Sequence, residues 1–402
     1  MTTAKLPRRL LYAWEWGAGI SHLKRFVPFA TRLVEEGVEV TVAAKDLTNA
    51  RLLFPDRRIQ LRQAPTNWRP PSKPFIDPRS LASLAWNLGY DSPARILSYF
   101  DAWTGLIRDL RSEAVVADFG IMPLLVAKAL ELPTARLGVG FEHPPGVSPF
   151  ACFGPSASVN LEGERDCEKH LLDLFNSCLL KERMPRISSL ASILPSAEHT
   201  ILLTVPELDP YANQRGSGQY HGWWDADNLP GPSWPNRLPR RAIAYLKPIP
   251  NLARVLQCLC ELGIEVALVP DGIPDATLQS LDEQKIRIQT GLVDFAAAAS
   301  QSDLVITNGN HGATFTGLVS GTPVVLCPSF VEQRLTGMAV SQARLGVMLD
   351  VTRPENFLES IQNLANSADA KSRAEEFKRK HFTLKDDWQE KLWSRLCHSI
   401  GK

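Results

Sequence analysis

The 402 residues contain no run of the roughly 18 uncharged apolar positions that a membrane helix requires. The N-terminal apolar run from Leu10 to Trp14 stops at Glu15, too short for a signal peptide. Neither sign of charge dominates. Lys and Arg total 44 against 43 Asp and Glu, a net charge of +1, so there is no electrostatic case for nucleic acid or for strong attachment to an anionic membrane. The short cluster Arg237, Arg240 and Arg241 is a local exception that reads as solvated surface. Seven cysteines are an odd number without metal-ligand spacing. The close pair, Cys258 and Cys260, lies inside an apolar helical pattern, so reduced thiols and a cytoplasmic location are expected. Short repeats and low-complexity segments are also missing.

What is present is a globular composition, 44% hydrophobic and 22% charged, over a length that implies two domains. Short β-branched runs alternate with amphipathic helices. Leu10 to Trp14 reads as a buried strand. A helix follows, with Leu23, Phe26, Val27, Ala30, Leu33 and Val34 on one face and Lys24, Arg25, Arg32 and Glu35 on the other. Ser21 fits its N-cap and Gly37 its stop, while Pro28 should kink it. Strands are expected at Val38–Ala44, Ala114–Asp118, Thr134–Val139 and Ile201–Val205, with a helix at Pro123–Leu130. Between them, 67–90 and 141–160 read as long irregular insertions rich in Pro and aromatics. The pattern breaks from Pro206 to Pro239 into a Gly- and Pro-rich linker carrying Trp223, Trp224 and Trp234. A second series of strands follows at Ala242–Leu246, Glu265–Val269, Ile286–Gln289, Leu304–Thr307 and Val324–Cys327, with a helix at Leu252–Leu262. Strand–helix alternation of this kind means parallel sheets covered on both faces.

Ligands in open α/β sheets sit beyond the carboxyl ends of the strands, so those ends carry the functional information. After the first strand comes Gly17-Ala18-Gly19-Ile20-Ser21-His22. The third glycine of a dinucleotide fingerprint is missing, and the second strand ends in Lys45 rather than an acid, which argues against a nicotinamide cofactor. His22 in a first helical turn is placed as a general base, and Asp118 ends another strand where a carboxylate could fix its tautomer. The plainer reading is that His22 closes a turn and Asp118 N-caps the next helix. In the second half, Asn308-Gly309-Asn310-His311-Gly312-Ala313-Thr314 follows a strand and opens a helix, an arrangement suited to a pyrophosphate or merely to a tight turn. Glu332 and Gln333 follow the next strand, where they could grip sugar hydroxyls. Asp225-Ala226-Asp227 is a D-x-D, a tripeptide that can bind manganese, but it lies in the linker and carries no metal expectation.

Two blocks resemble a known family. Gly19 to Val42, read as G-x-x-H-L-x-R-x-x-P-x-A-x-x-L-x-x-x-G-V-E-V-T-V, resembles the opening of the UDP-glycosyltransferase superfamily with the GT-B fold. Ser302 to Gly346 resembles its donor-binding signature at Asp303, Ile306, Thr307, Gly309, Gly312, Thr314, Leu318, Gly321, Pro323, Pro328, Glu332, Gln333 and Gly346. The resemblance implies two Rossmann-like parallel-sheet domains facing across a cleft. It divides the chain into an acceptor-binding domain (1–205), a linker (206–239), a donor-binding domain (240–380) and a C-terminal segment (381–402) whose helix crosses back to the first domain. It further implies an inverting transferase of the hexosyltransferase type, moving a sugar from a UDP or dTDP donor to a hydroxyl acceptor without metal or other cofactor. His22 would be the base and Asp118 its partner. Gly309, Asn310, Gly312, Ala313 and Thr314 would cradle the diphosphate, with Glu332 and Gln333 on the donor sugar.

This sequence departs from the family pattern at several of those positions. Asn308 stands where a histidine usually meets the donor phosphate, Asn310 replaces the second glycine, and Thr316 stands where a glutamate often holds the ribose. Lys247 follows the first C-terminal strand in place of a Gly-Ser pair and could return the charge missing at Asn308. Aromatic residues of the two insertions, Trp68, Trp86 and Phe141 with His143, could wall an apolar, planar or lipid acceptor, or could simply be packing. Two other readings stay open: a non-catalytic sugar-nucleotide-binding subunit supporting a partner enzyme, and a sugar-nucleotide 2-epimerase of the same fold.

Overall fold

The computed structural model describes residues 5–401 except 18, 67–68, 155–158, 216–219, 224–228, 292 and 386. Trp68, Trp224 and the Asp225–Asp227 tripeptide lie outside the described residues. The chain divides into two units, one of residues 1–203, 211–221 and 387–402, the other of 204–210 and 222–386.

The first unit is built from β1 (Arg9–Ala13), α1 (Ser21–Lys24), α2 (Val27–Glu35), β2 (Glu39–Ala44), α3 (Leu47–Leu53), β3 (Gln60–Gln63), α4 (Leu81–Asn87), α5 (Pro93–Asp109), β4 (Ala114–Ala117), α6 (Met122–Ala129), β5 (Thr134–Gly138), α7 (Leu161–Lys181) and β6 (Thr200–Leu202). Its strands run in the order β3-β2-β1-β4-β5-β6. The pairings are parallel, with Leu10 opposite both Val40 and Ala114. Leu10 to Ala13 and Ala114 to Ala117 are fully buried, as a parallel strand with helices on both faces must be.

The first helix is two helices. The break at Arg25–Phe26 places Pro28 in the opening turn of α2, where its missing N–H costs nothing. Ser21 is the first residue of α1 rather than its cap, and the break turns Arg25 inward, to 5% exposure, against the solvent face expected of it. The insertion at 67–90 is likewise less irregular than expected. It contains α4, started by a reciprocal Ser80–Ser83 capping box. α3, β3, α5 and α7 are further elements that the pattern alone did not mark.

The second unit holds β7 (Arg240–Leu246), α8 (Leu252–Glu261), β8 (Ile264–Pro270), α9 (Asp275–Gln279), β9 (Ile286–Ile288), α10 (Phe295–Ser300), β10 (Leu304–Thr307), α11 (His311–Val319), β11 (Val324–Leu326), α12 (Val331–Gln342), β12 (Gly346–Met348), α13 (Phe357–Ala365) and α14 (Ala368–His381). The sheet order β12-β11-β10-β7-β8-β9 repeats the topology of the first. Val255, Leu256 and Leu259 of α8 pack with Val266, Leu268, Phe357 and Ile361 in its core. Part of the Pro-rich stretch is ordered on this unit: the Ser233 N–H donates to Gln289 Oε1 at 2.8 Å, and the Arg241 guanidinium lies over Trp234, 5.2 Å from its ring centre. Finally α15 (Trp388–Ile400) belongs to the first unit. It buries Leu392, Leu396 and Ile400, while Glu390 pairs with Arg32 at 2.6 Å. All seven cysteines are free thiols, and no helix among the described residues is long and apolar enough to cross a membrane.

Candidate active site

In each sheet the strand order reverses beside the first strand, between β1 and β4 and between β7 and β10. Ligands gather at such switch points because the loops there diverge and leave a crevice. His22 follows β1 and Asp118 follows β4, so the fold brings the two expected residues together across 96 positions of sequence. His22 Nδ1 lies 3.0 Å from Asp118 Oδ1. Asp118 is fully buried, and burial would raise its carboxyl, but Arg25 and His22 outweigh this and hold it at about 2. It is therefore a carboxylate, and a carboxylate only accepts. Nδ1 therefore donates to this carboxylate, and in a neutral imidazole so placed the lone pair lies on Nε2.

Everything around the pair holds that arrangement. Asp118 Oδ1 also accepts from the Phe119 N–H at 2.7 Å and from Arg25 Nη1 at 3.3 Å, and Oδ2 accepts from the Tyr12 hydroxyl at 2.5 Å. The Asp118 side chain thus serves the dyad rather than the cap of α6. The Trp14 ring stacks on the imidazole, with centres 5.0 Å apart. Gly17, at φ +83°, is required twice over: a Cβ there would strain the backbone and would stand 2.5 Å from His22 Nε2. Behind Arg25 sits Glu142, which accepts from Arg25 Nη1 and, at 3.0 Å, from Nη2. Glu142 Oε1 is 3.6 Å from His22 Nδ1. Gly138, ending β5, leaves room for this pair, since a Cβ there would lie 2.6 Å from Arg25 Nη1. His22, Asp118 and Glu142 have the mutual spacing of metal ligands, with atoms within 4.8 Å. The Arg25 guanidinium already supplies positive charge at that point.

Glu15 is a second buried acid at the same strand end. Its Oε2 accepts from the Ile121 and Met122 N–H groups at 2.8 and 3.1 Å, capping α6, and the Tyr90 hydroxyl donates to Oε1. Burial pushes this carboxyl up to about 7 despite those hydrogen bonds. Arg25, Glu142, Tyr12 and Glu15 were all missed in the sequence. Arg25 alone left a signal there, three residues beyond His22 in the quoted motif.

Among the described residues, the side chains expected at an acceptor are engaged in packing and hydrogen bonds. Phe141 is buried in a chain of rings, 5.9 Å from Phe119 and 5.2 Å from Phe153. His143 is 1% exposed, and burial together with Arg136 holds it well below the usual imidazole range. Trp86 donates to the Lys73 carbonyl at 2.8 Å and packs on His170 of α7. These side chains stabilise the insertions by packing. A cavity of about 440 Å³ does open beside Phe75, Ile76, Arg79 and Asn160, with Ile76 89% exposed.

In the second unit, the switch point between β7 and β10 is tied by Asn308. Its Oδ1 accepts from the Lys247 N–H at 2.7 Å and its Nδ2 donates to the Cys327 carbonyl at 3.3 Å. Both amide groups join strand ends, so the amide expected on a donor phosphate is a clamp within the sheet. Lys247 Nζ lies 3.5 Å from Asp271, with both side chains about a third exposed (31% and 39%). Gly309 donates to Thr307 Oγ1 at 2.7 Å. Asn310 is the N-cap of α11, yet its Oδ1 is buried without a hydrogen-bond partner among the described residues. Past it, His311, Gly312 and Ala313 form the first turn of α11, the helix end that carries partial positive charge. The Trp223 ring covers Gly312, and His311 Nε2 meets the Thr204 hydroxyl at 2.7 Å. Thr314 is fully buried with its hydroxyl 3.3 Å from that of Thr307, so it faces the sheet and not a ligand. Gln333 Oε1 accepts from the Ser329 N–H at 2.8 Å at the start of α12, and Glu332 is half-buried in the first turn.

Doubled sheets of this order with such switch points define the GT-B fold, and solved structures similar to the chain have it. The spinosyn rhamnosyltransferase SpnG matches with a TM-score of 0.65 at 17% identity, over 94% of this chain and 96% of that one. The calicheamicin glycosyltransferase CalG4 gives 0.67 at 16%, over 97% and 98%. VinC in complex with dTDP gives 0.65 at 14%, over 96% and 99%. The fold is that of the GT-B glycosyltransferases. Among curated proteins, a PGL/p-HBAD biosynthesis rhamnosyltransferase of Mycobacterium tuberculosis (strain CDC 1551 / Oshkosh) is 30% identical over 176 residues, 41% of this chain and 37% of that protein. A PGL/p-HBAD biosynthesis glycosyltransferase of M. tuberculosis (strain ATCC 25177 / H37Ra) is 28% identical over 198 residues, 46% and 44% of the two. The chain thus spans less than half the length of the curated relatives it matches. No family model matches it.

Proposed function

We propose that the chain is an inverting glycosyltransferase that needs no metal, with His22 as general base. The observation that carries this reading is the His22–Asp118 pair, 3.0 Å apart at the β1/β4 switch point of a GT-B fold. Nε2 takes the proton of an acceptor hydroxyl, whose oxygen attacks the anomeric carbon as the bond to the diphosphate oxygen breaks. Asp118 stabilises the imidazolium that forms. The departing charge is met by the first-turn N–H groups of α11 and by Lys247. Thymidine diphosphate is named with VinC and with a second SpnG structure, and rhamnosyl transfer with two relatives. Together these support a dTDP-linked deoxysugar ahead of a UDP-sugar as donor.

A thermal-shift panel of UDP, dTDP and their sugar conjugates, with and without EDTA, identifies the donor through the mass-action rise in melting temperature. His22→Ala should then lose about 10²–10⁴-fold in turnover while binding that nucleotide as before. Unchanged turnover would overturn the assignment of the base. Nucleotide binding without turnover on any acceptor would favour a binding subunit, the reading to which the diverted Asn308 amide lends support.

A further inference from the structure

The Arg25–Glu142 pair adjoins the dyad but has no part in the reaction just described. Both residues are nearly inaccessible, at 5% and 4% exposure. Arg25 grips Glu142 with both terminal nitrogens and reaches Asp118 Oδ1 at 3.3 Å, the oxygen that His22 Nδ1 contacts. Burial alone would lower the Arg25 guanidinium; the two carboxylates reverse this and raise it. One guanidinium is thus shared between two acidic side chains, Asp118 and Glu142, beside the imidazole of His22. Two acids facing one guanidinium favour a further positive charge beside them, and His22 Nδ1 is within 3.6 Å of both acids.

Resting on the glycosyltransferase reading, we propose that Arg25 and Glu142 are positioning residues that set the proton affinity of His22, leaving the buried cluster one positive charge short until the imidazole takes the acceptor's proton. Asp118 orients the ring, while the Arg25–Glu142 pair sets the charge that the ring responds to. The other charged or titratable groups near His22 are Tyr12 and Glu15 from β1, Lys45 after β2, and His143 with Arg136 beyond Glu142. Lys45 Nζ donates to the Gly17 carbonyl at 2.8 Å. None of these is altered in the variants below.

Charge-removing variants make the idea testable, because it demands shifts of opposite sign. In Glu142→Gln the cluster is already neutral before protonation, so the acid limb of the kcat/KM profile should move to lower pH by about one unit, a tenfold change in proton affinity. In Arg25→Gln it should move to higher pH by a similar amount. The double variant restores the original charge and should return the limb towards wild type, even if the maximal rate stays depressed. A residue that merely supports the fold would lower the rate or the melting temperature without moving the limb in a charge-dependent direction. The same titration is read without turnover from the His22 Cε1–H resonance, assigned as the signal missing in His22→Ala. Resonance shifts of opposite sign in the two single variants, or a shift in Glu142→Gln reversed in the double variant should Arg25→Gln fail to fold, support the proposal. A resonance that titrates alike in all folded variants overturns it. If no sugar nucleotide is turned over but the resonance shifts as described, the transferase reading fails and the charge coupling stands.

Discussion

Replacing Glu15 by Gln should make the first unit more stable at pH 8 and leave it nearly unchanged at pH 4. Glu15 is 4% exposed at the end of β1, and burial lifts its carboxyl from 4.5 to about 7. Between those values the unfolded chain has released a proton that the native state keeps, so stability falls as pH rises through the window. The span from 4.5 to about 7 corresponds to a penalty of about 3 kcal/mol once the group is fully ionised, at about 1.4 kcal/mol per unit. Gln keeps the shape and the bonds. Its carbonyl can accept from Ile121 and Met122, and its amide can donate to the Tyr90 oxygen. The variant should therefore gain up to about 3 kcal/mol over wild type at pH 8, with the difference vanishing towards pH 4. Denaturant titrations across this range, followed by hydrogen exchange of β1 and β4 amides, measure it within the unit concerned. A stability difference that does not depend on pH would refute the reasoning, because it would show that Glu15 ionises alike in the folded and unfolded chain.

Two further substitutions probe the two switch points. Gly17→Ala places a methyl 2.5 Å from His22 Nε2 in a left-handed backbone. It should cost about 1–2 kcal/mol in stability but about a hundredfold in kcat/KM, because the displaced imidazole no longer meets the acceptor. Steady-state kinetics beside a melting curve separate the two effects, and an undiminished rate would mean that Nε2 is not the reacting atom. Lys247→Met should barely change the melting temperature, since its ion pair with Asp271 is exposed and worth under about 1 kcal/mol. It should weaken binding of the donor nucleotide about tenfold by calorimetry, the loss of one charge-assisted hydrogen bond. Equal affinity would remove Lys247 from the donor site.

The alternation of buried strands and amphipathic helices was legible in the linear sequence. A parallel strand covered on both faces is apolar along its length, and Leu10–Ala13, Ala114–Ala117 and Leu304–Ile306 are. Strand ends are readable for the same reason, because the apolar run stops where the chain reaches a crevice, and that stop marked His22, Asp118 and Asn308. Orientation was not readable. Unbroken helical periodicity put Arg25 towards solvent, and only the break before Phe26 turns it inward. Polar side chains at the marked ends were equally ambiguous. Asn308, Thr314 and Gln333 could each face a ligand or the protein, and the fold engages Asn308 and Gln333 with backbone groups and Thr314 with the Thr307 hydroxyl. The charge cluster around His22 joins residues 93 to 117 positions apart, Arg25 with Asp118 and with Glu142. Local pattern records which residues share a face but not which distant charges will be buried together. The sequence by itself therefore determined the buried inner strands, their ends and the candidate base, whereas tertiary packing alone decided the edge strand β3 and which buried charges surround that base.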